Sequence, residues 1–209
     1  MPRKFNNKSI GLTPKELSLL KKLNTPEKIQ SFISAMPQNH EPNGDSCMSA
    51  RETLKAGRAH CIEGAALAAL ALWINGERPL LMDLKAHKDF DHVITLFKRD
   101  GHWGAISKTN HAILRYRDPV YRTLRELAMS YFHEYSNDDW KKSLRSYSRP
   151  LDLSAYEPKD WVTGKYAWKI AGDIDGIKHF ALVTPKQIKN LRKLEDVERK
   201  AGSILQYTK

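Results

Sequence analysis

Cys61 is the residue of this sequence best placed for nucleophilic chemistry. It lies between the turn-forming Gly57 and the apolar run Gly64–Ile74. An Ala/Leu-rich run that is apolar on every side indicates a buried helix, which we predict over residues 61–74. The free N–H groups and the dipole at a helix N-terminus stabilise a thiolate, the reactive form of cysteine. Glu63 fits the same helix start, although a carboxylate so close would oppose thiolate formation.

His92 is the candidate base for this thiol. It opens a β-branched and aromatic run, and Asp100-Gly101 then predicts a hairpin turn into a return strand over Trp103–Ser107. In that register His92 faces Lys108, and Ser107 is an immediate neighbour. A cysteine nucleophile requires a base of this kind, and the base requires an orienting partner.

The layout resembles the transglutaminase-like core within the papain and transglutaminase superfamily of cysteine enzymes. The resemblance covers about residues 25–120 and is carried by a helix that starts at Thr25-Pro26 and by the segments GRAHCIEGAAL (57–67), DHVITLF (91–97) and DGHW (100–103). It implies a cysteine-bearing helix packed on a mostly antiparallel sheet, a thioacyl intermediate on Cys61, a peptide or protein substrate and no cofactor.

The residue that orients His92 is left open. The family pattern implies an aspartate that, counted from Trp103, falls at Ser107, and a serine accepts a hydrogen bond but stabilises an imidazolium less. Asn110 would complete a Cys-His-Asn set if a bulge shifts it, and Asp118 is a third alternative, although its proline neighbour also fits a plain turn. The predicted catalytic residues are therefore Cys61 and His92 with one of these three.

The other histidines are weaker candidates. His60 directly precedes Cys61 and is expected to point away from it, and His111 is the second choice as base. The spacing of His60, Cys61, His87 and His92 matches no familiar zinc pattern, so no metal is expected.

The order of elements predicts an α+β fold in a single domain over residues 1–209, with a core at about 25–120 and an extension over 165–201. We predict helices over 14–23, from 26 to before Pro37, 49–56, 61–74, 120–134 and from Pro185 to 201, strands over 79–84, 93–97, 103–107, 166–170 and 179–183, a turn at Asp118-Pro119, and irregular chain over 136–163.

Charge and cysteine usage restrict the class of protein. The chain has 35 Lys and Arg against 24 Asp and Glu, a formal net charge of +11, but the basic residues are scattered and no nucleic-acid recognition module accompanies them. Nucleic acid is thus possible as a partner but not favoured. Two cysteines form no disulfide framework, the N-terminal residues contain no apolar signal segment, and the longest apolar run is too short for a bilayer. We therefore expect a cytoplasmic protein with free thiols and no membrane association.

Two functions follow from these features. The first is a cysteine-dependent acyl-transfer enzyme, which is a peptidase or amidase if water accepts the acyl group and a transferase if an amine does. The second is a catalytically weak or inactive transglutaminase-like fold that serves as a basic binding module for nucleic acid or an acidic partner.

Overall fold

Four helices precede the first strand of the protein, in a computed structural model that describes residues 10–42 and 44–208. They are α1 (Pro14–Lys22), α2 (Pro26–Ser34), α3 (Ala50–Ala56) and α4 (Cys61–Ile74). The side chains of Thr13, Thr25 and Ser49 cap the first three, and each accepts a hydrogen bond from a backbone N–H three residues further on. These helices confirm the sequence prediction to within a few residues.

The strands that follow α4 form one seven-stranded sheet, in which every pairing is antiparallel. Its strands are β1 (Leu80–Ala86), β2 (His92–Arg99), β3 (His102–Ile106), β4 (Arg117–Tyr121), β5 (Leu144–Ser148), β6 (Leu151–Asp152) and β7 (His179–Ala181). The order is β4-β3-β2-β1-β5-β7, and β6 also pairs with β1. The α+β class with an antiparallel sheet is thus confirmed.

Five further α-helices are present in the described part of the chain: α5 (Leu124–Met129), α6 (Pro158–Trp161), α7 (Trp168–Gly176), α8 (Pro185–Lys189) and α9 (Asp196–Ser203), with a 3-10 turn at Leu153–Ala155. No helix there combines the length and the apolar character that crossing a membrane requires.

Helix α4 lies at the centre of the larger hydrophobic core. Every residue from Glu63 to Ile74 is buried, and the helix packs on β2 beneath α1, α2 and α3. The Thr95 hydroxyl of β2 donates to the Ala65 carbonyl of α4 at 2.7 Å. A second cluster, which includes α5, covers the opposite face of the sheet. The all-round apolar character of α4 is therefore explained by partners on all its sides.

Two predicted elements are wrong in type. Residues 166–170 were predicted as a strand, but Trp168–Gly176 is a helix in which Ile170 and Ile174, four residues apart, are the buried side chains. The predicted turn at Asp118-Pro119 lies within strand β4, an edge strand, where the proline is tolerated because one side of the strand needs no N–H donor.

Other predictions are wrong in extent. The helix predicted over 120–134 is α-helical only over Leu124–Met129, the irregular segment 136–163 contains β5, β6 and α6, and the C-terminal helix divides into α8 and α9. The predicted hairpin register is wrong by one residue, since Thr95 pairs with Ile106. Thr95 and Ile106 are the last paired residues at that end of β2 and β3, so His92 has no partner on β3. It pairs instead with Leu84 of β1.

Candidate active site

Cys61 is the first residue of α4, and the turn before it is fixed by backbone hydrogen bonds. Gly57 ends α3 in the left-handed region with a φ of 63°. The Ala59 N–H donates to the Pro37 carbonyl at 3.1 Å, and the Ala59 carbonyl accepts from the Asn39 N–H at 3.2 Å. The chain is thus held on both sides of the turn and enters α4 with Cys61 at the free helix end.

Glu63 anchors the preceding loop to this helix start. Its fully buried carboxylate accepts hydrogen bonds from the backbone N–H of His60 at 3.0 Å and of Met48 at 2.9 Å. The Ser46 hydroxyl at 3.1 Å and the Asn39 amide at 3.1 and 3.3 Å complete the shell. These donors compensate the buried charge, so the carboxylate organises the site.

Cys61 is half-buried, and its thiol is hydrogen-bonded to two imidazoles, His60 and His92. Burial by itself raises the pKa of this thiol, but the hydrogen bonds and positive charges of the two histidines outweigh burial and lower the pKa to about 5. Cys61 is therefore a thiolate at neutral pH, which is the nucleophilic form.

Cys47 behaves in the opposite way. Its side chain is 2% exposed, and burial, together with the negative charge of Glu63, raises the pKa of its thiol to about 12. The surroundings of the two cysteines thus place the pKa of the Cys61 thiol below neutral pH and that of the Cys47 thiol far above it.

A chain of hydrogen bonds fixes the orientation of His92. Its Nε2 lies 2.7 Å from the Ser107 hydroxyl, and that hydroxyl donates its single proton to the Leu114 carbonyl. The hydroxyl oxygen must therefore accept from Nε2–H. Nδ1 is then the nitrogen left for the Cys61 thiol, which is the tautomer that a general base at this position requires.

Ser107 is itself held in place by residues that no sequence motif singled out. The Gln30 side chain of α2, 77 residues away, accepts from the Ser107 N–H and donates to the Ser107 carbonyl, both at 2.9 Å. Leu114, which accepts the serine proton, has a left-handed φ of 60°, and its N–H donates to the Glu134 carboxylate at 2.7 Å. Glu134 also pairs with Arg117 at 2.7 Å.

The loop before His92 has a support of its own. The buried hydroxyl of Tyr135 donates to the Phe90 carbonyl at 3.0 Å, two residues before the histidine. It also lies 3.4 Å from the Leu84 carbonyl. Tyr135 therefore holds together β1 and the entry to β2.

The other two candidates for the orienting residue lie elsewhere. The Asn110 side chain pairs with the backbone of Tyr207, donating to its carbonyl and accepting from its N–H at 2.9 Å each. Asp118 is exposed on the edge strand β4. Of the three alternatives, the structure brings only Ser107 to His92, because β3 ends one residue before it and the chain then turns to meet the imidazole.

The expectation that His60 points away from Cys61 is wrong. As the N-cap of α4, His60 turns its ring back toward the thiol, and its Nε2 donates to the Ser46 carbonyl at 2.9 Å. The spacing of His60 and Glu63, which matches a capping box, is the signal that could have indicated this.

The remaining histidines form no part of this cluster. His111, the second choice as base, is exposed and contacts the Gly202 carbonyl through Nδ1 at 2.9 Å. His179 pairs through Nε2 with the buried Asp83 at 3.1 Å. Across residues 10–42 and 44–208, no group of three or more His, Cys, Asp or Glu side chains is arranged to hold a metal ion.

A cysteine, a histidine and a hydroxyl are thus connected by hydrogen bonds at the junction of α4, β2 and the end of β3. Comparison of the sequence with protein-family models and with curated proteins finds no match.

Proposed function

We propose that this protein is a cysteine-dependent acyl-transfer enzyme built on a transglutaminase-like fold. The observation that carries the proposal is the hydrogen-bonded series Cys61, His92 and Ser107, in which the thiol pKa is lowered to about 5. A nucleophile, a base and an orienting group in contact are the arrangement that acyl transfer through a thioester requires.

In the proposed reaction the Cys61 thiolate attacks the carbonyl carbon of an amide or ester, and the carbonyl π electrons move to the oxygen. A backbone N–H at the free start of α4 stabilises this oxyanion. The intermediate collapses to a thioester as the leaving group departs with a proton from protonated His92. Neutral His92 then takes a proton from water or an amine, which attacks the thioester and releases the thiolate.

Site-specific alkylation tests the nucleophile first. Iodoacetamide should label Cys61 much faster than Cys47 at neutral pH, because only Cys61 is a thiolate there. Peptide mapping by mass spectrometry reports both rates in one sample of the intact protein. Equal, slow labelling of the two cysteines would contradict the proposal.

The acyl-enzyme is the second test. With p-nitrophenyl acetate, the protein should release p-nitrophenolate in a burst stoichiometric with enzyme, and Cys61 should gain the mass of one acetyl group. Cys61→Ser should lose the burst, and Cys47→Ser is the matched control that should retain it. Absence of the acetyl adduct from a protein whose Cys61 alkylates rapidly would contradict acyl transfer.

A second candidate function is a basic binding module without catalysis. The neutral Ser107 at the position where the family pattern implies an acid, and the net charge of +11, favour it. It predicts salt-sensitive binding to nucleic acid, measurable by fluorescence anisotropy with a labelled oligonucleotide, that Cys61→Ala leaves unchanged. Absence of binding at low salt would exclude it.

A further inference from the structure

The two imidazoles that contact Cys61 differ in the groups that surround their Nε2 atoms. Nε2 of His60 donates to the Ser46 carbonyl at 2.9 Å and lies 3.4 Å from a Glu63 oxygen and 3.7 Å from a Glu41 oxygen. Nε2 of His92 has the neutral Ser107 hydroxyl as its partner. The carboxylates that would stabilise an imidazolium therefore stand behind His60.

Geometry also fixes the tautomer of His60. A carbonyl oxygen can only accept, so Nε2 of His60 carries a proton, and Nδ1 is the nitrogen left for the Cys61 sulfur. Protonating Nδ1 then completes an ion pair with the thiolate on one side, while Glu63 and Glu41 neutralise the ring on the other. His92 faces the same sulfur with no carboxylate behind it.

We infer that His60 is a second catalytic histidine of this site, the imidazolium that holds Cys61 as a thiolate, and that His92 is left free to transfer protons. The inference rests on the proposed function. Holding the thiolate and transferring protons are then the tasks of two different residues. In a single Cys-His pair the thiolate loses its counter-ion whenever the histidine gives up its proton. Here the thiolate keeps a cationic partner in both protonation states of His92.

The protonation states near the sulfur are consistent with this division. Burial by itself lowers the pKa of His60, but its hydrogen bond and charge interaction with Cys61, followed by Glu63, raise it to about 9. The other titratable neighbours stay neutral, because burial raises the pKa of Cys47 to about 12 and holds the pKa of Tyr135 well above its ordinary value. The charges that bear on the thiol are therefore those of the two histidines and of the carboxylates behind His60.

Thiol titration in two matched variants tests the inference without any substrate. The alkylation rate of Cys61 by iodoacetamide is measured against pH in His60→Gln and His92→Gln, with mass spectrometry assigning the label. In His60→Gln the thiol pKa should rise by about two units, which lowers the thiolate fraction at pH 6 about tenfold. In His92→Gln the thiol pKa should also rise, but by less than in His60→Gln, while the p-nitrophenyl acetate burst is lost.

A milder variant protects the test against misfolding of His60→Gln. Glu41→Gln removes one charge behind His60 and keeps the oxygen that accepts from the Ser46 N–H. It should lower the pKa of the His60 imidazolium, followed by NMR of its ring protons, by several tenths of a unit, and Glu52→Gln, whose carboxylate pairs with Lys55, should leave that pKa unchanged. Circular dichroism verifies the fold of each variant.

The opposite ranking overturns the inference. If His92→Gln raises the thiol pKa as much as His60→Gln or more, His92 holds the thiolate and His60 is only a helix cap. That result would leave the proposed acyl transfer intact. A wild-type protein that forms no acetyl thioester, with the predicted ranking of thiol pKa values, would instead refute the function and leave the ion pair standing.

Discussion

Replacing Gly64 by alanine sets local helix preference against tertiary packing. Gly64 is the fourth residue of α4, and alanine is favoured over glycine inside a helix by about 1 kcal/mol. An added Cβ would lie 2.5 Å from Cβ and 2.8 Å from Cγ of Lys108. Lys108 is 1% exposed, and its ammonium donates to the Met36 carbonyl at 2.7 Å, so its side chain has no free space to move into.

The magnitude follows from these contacts. Overpacking of a dense core costs about 1–3 kcal/mol, and loss of the charged hydrogen bond to Met36 costs about 1.5–3 kcal/mol more. After the helix-propensity gain of about 1 kcal/mol is subtracted, Gly64→Ala should lower the free energy of unfolding by about 1.5–5 kcal/mol. For a chain of this size the thermal midpoint should then be lower by roughly 3–20 °C.

Urea denaturation and thermal unfolding measure the effect, with Gly172→Ala as the matched control. Gly172 is also inside a helix, α7, but no atom lies within 4 Å of a Cβ added there, so this substitution should stabilise the protein by about 0.5–1 kcal/mol. If Gly64→Ala were as stable as the wild type or more stable, the close packing of Lys108 on α4 would be refuted.

Three further predictions concern the site and a second buried pair. Ser107→Ala removes the acceptor of the imidazole N–H and should slow the acylation burst at least about tenfold, whereas a burst at the wild-type rate would show that another group orients the base. Asn110→Ala should leave thiol alkylation unchanged and speed hydrogen exchange around Tyr207, whose backbone it binds; slowed alkylation would assign the amide to the site after all. Burial raises the pKa of Asp83 to about 6 despite its hydrogen bond with His179. The stability that this raised pKa contributes to the folded protein is complete below the unfolded pKa of about 4 and is lost as the pH rises through 6. Asp83→Asn should therefore stabilise the protein by about 1–2 kcal/mol at pH 7 and not at pH 4. If the variant and the wild type had equal urea midpoints at both pH values, this prediction would be contradicted.

Local patterns sufficed for the framework of the site. The capping residues Thr13, Thr25 and Ser49 begin helices where the sequence predicts them, and the apolar run after Cys61 is a helix buried on all sides. The Asp100-Gly101 turn joins two paired strands as expected. Caps, apolar periodicity and hairpin turns act over a few residues, so their outcome is present in the sequence itself.

Contacts within the site depended on how those elements pack. The sequence left Ser107, Asn110 and Asp118 open as partners of His92, and the choice of Ser107 rests on where β3 ends and on Gln30, which comes from a distant helix. The same limit explains the strand wrongly predicted at 166–170. A short apolar segment fits both the strand and the helix periodicity, and only its tertiary contacts decide between them.

His60 shows the distinction most directly. Its sequence position next to Cys61 suggested a ring turned away. The Ser46 carbonyl, in a loop that is hydrogen-bonded to Glu63, and the Glu63 carboxylate supply the acceptors that turn the ring toward the sulfur. The sequence by itself therefore determined the position of Cys61 at a helix start, the helix itself and the strand that opens with His92. The tertiary structure decided which groups surround the sulfur, because hydrogen bonds between distant segments depend on their packing and not on any local pattern.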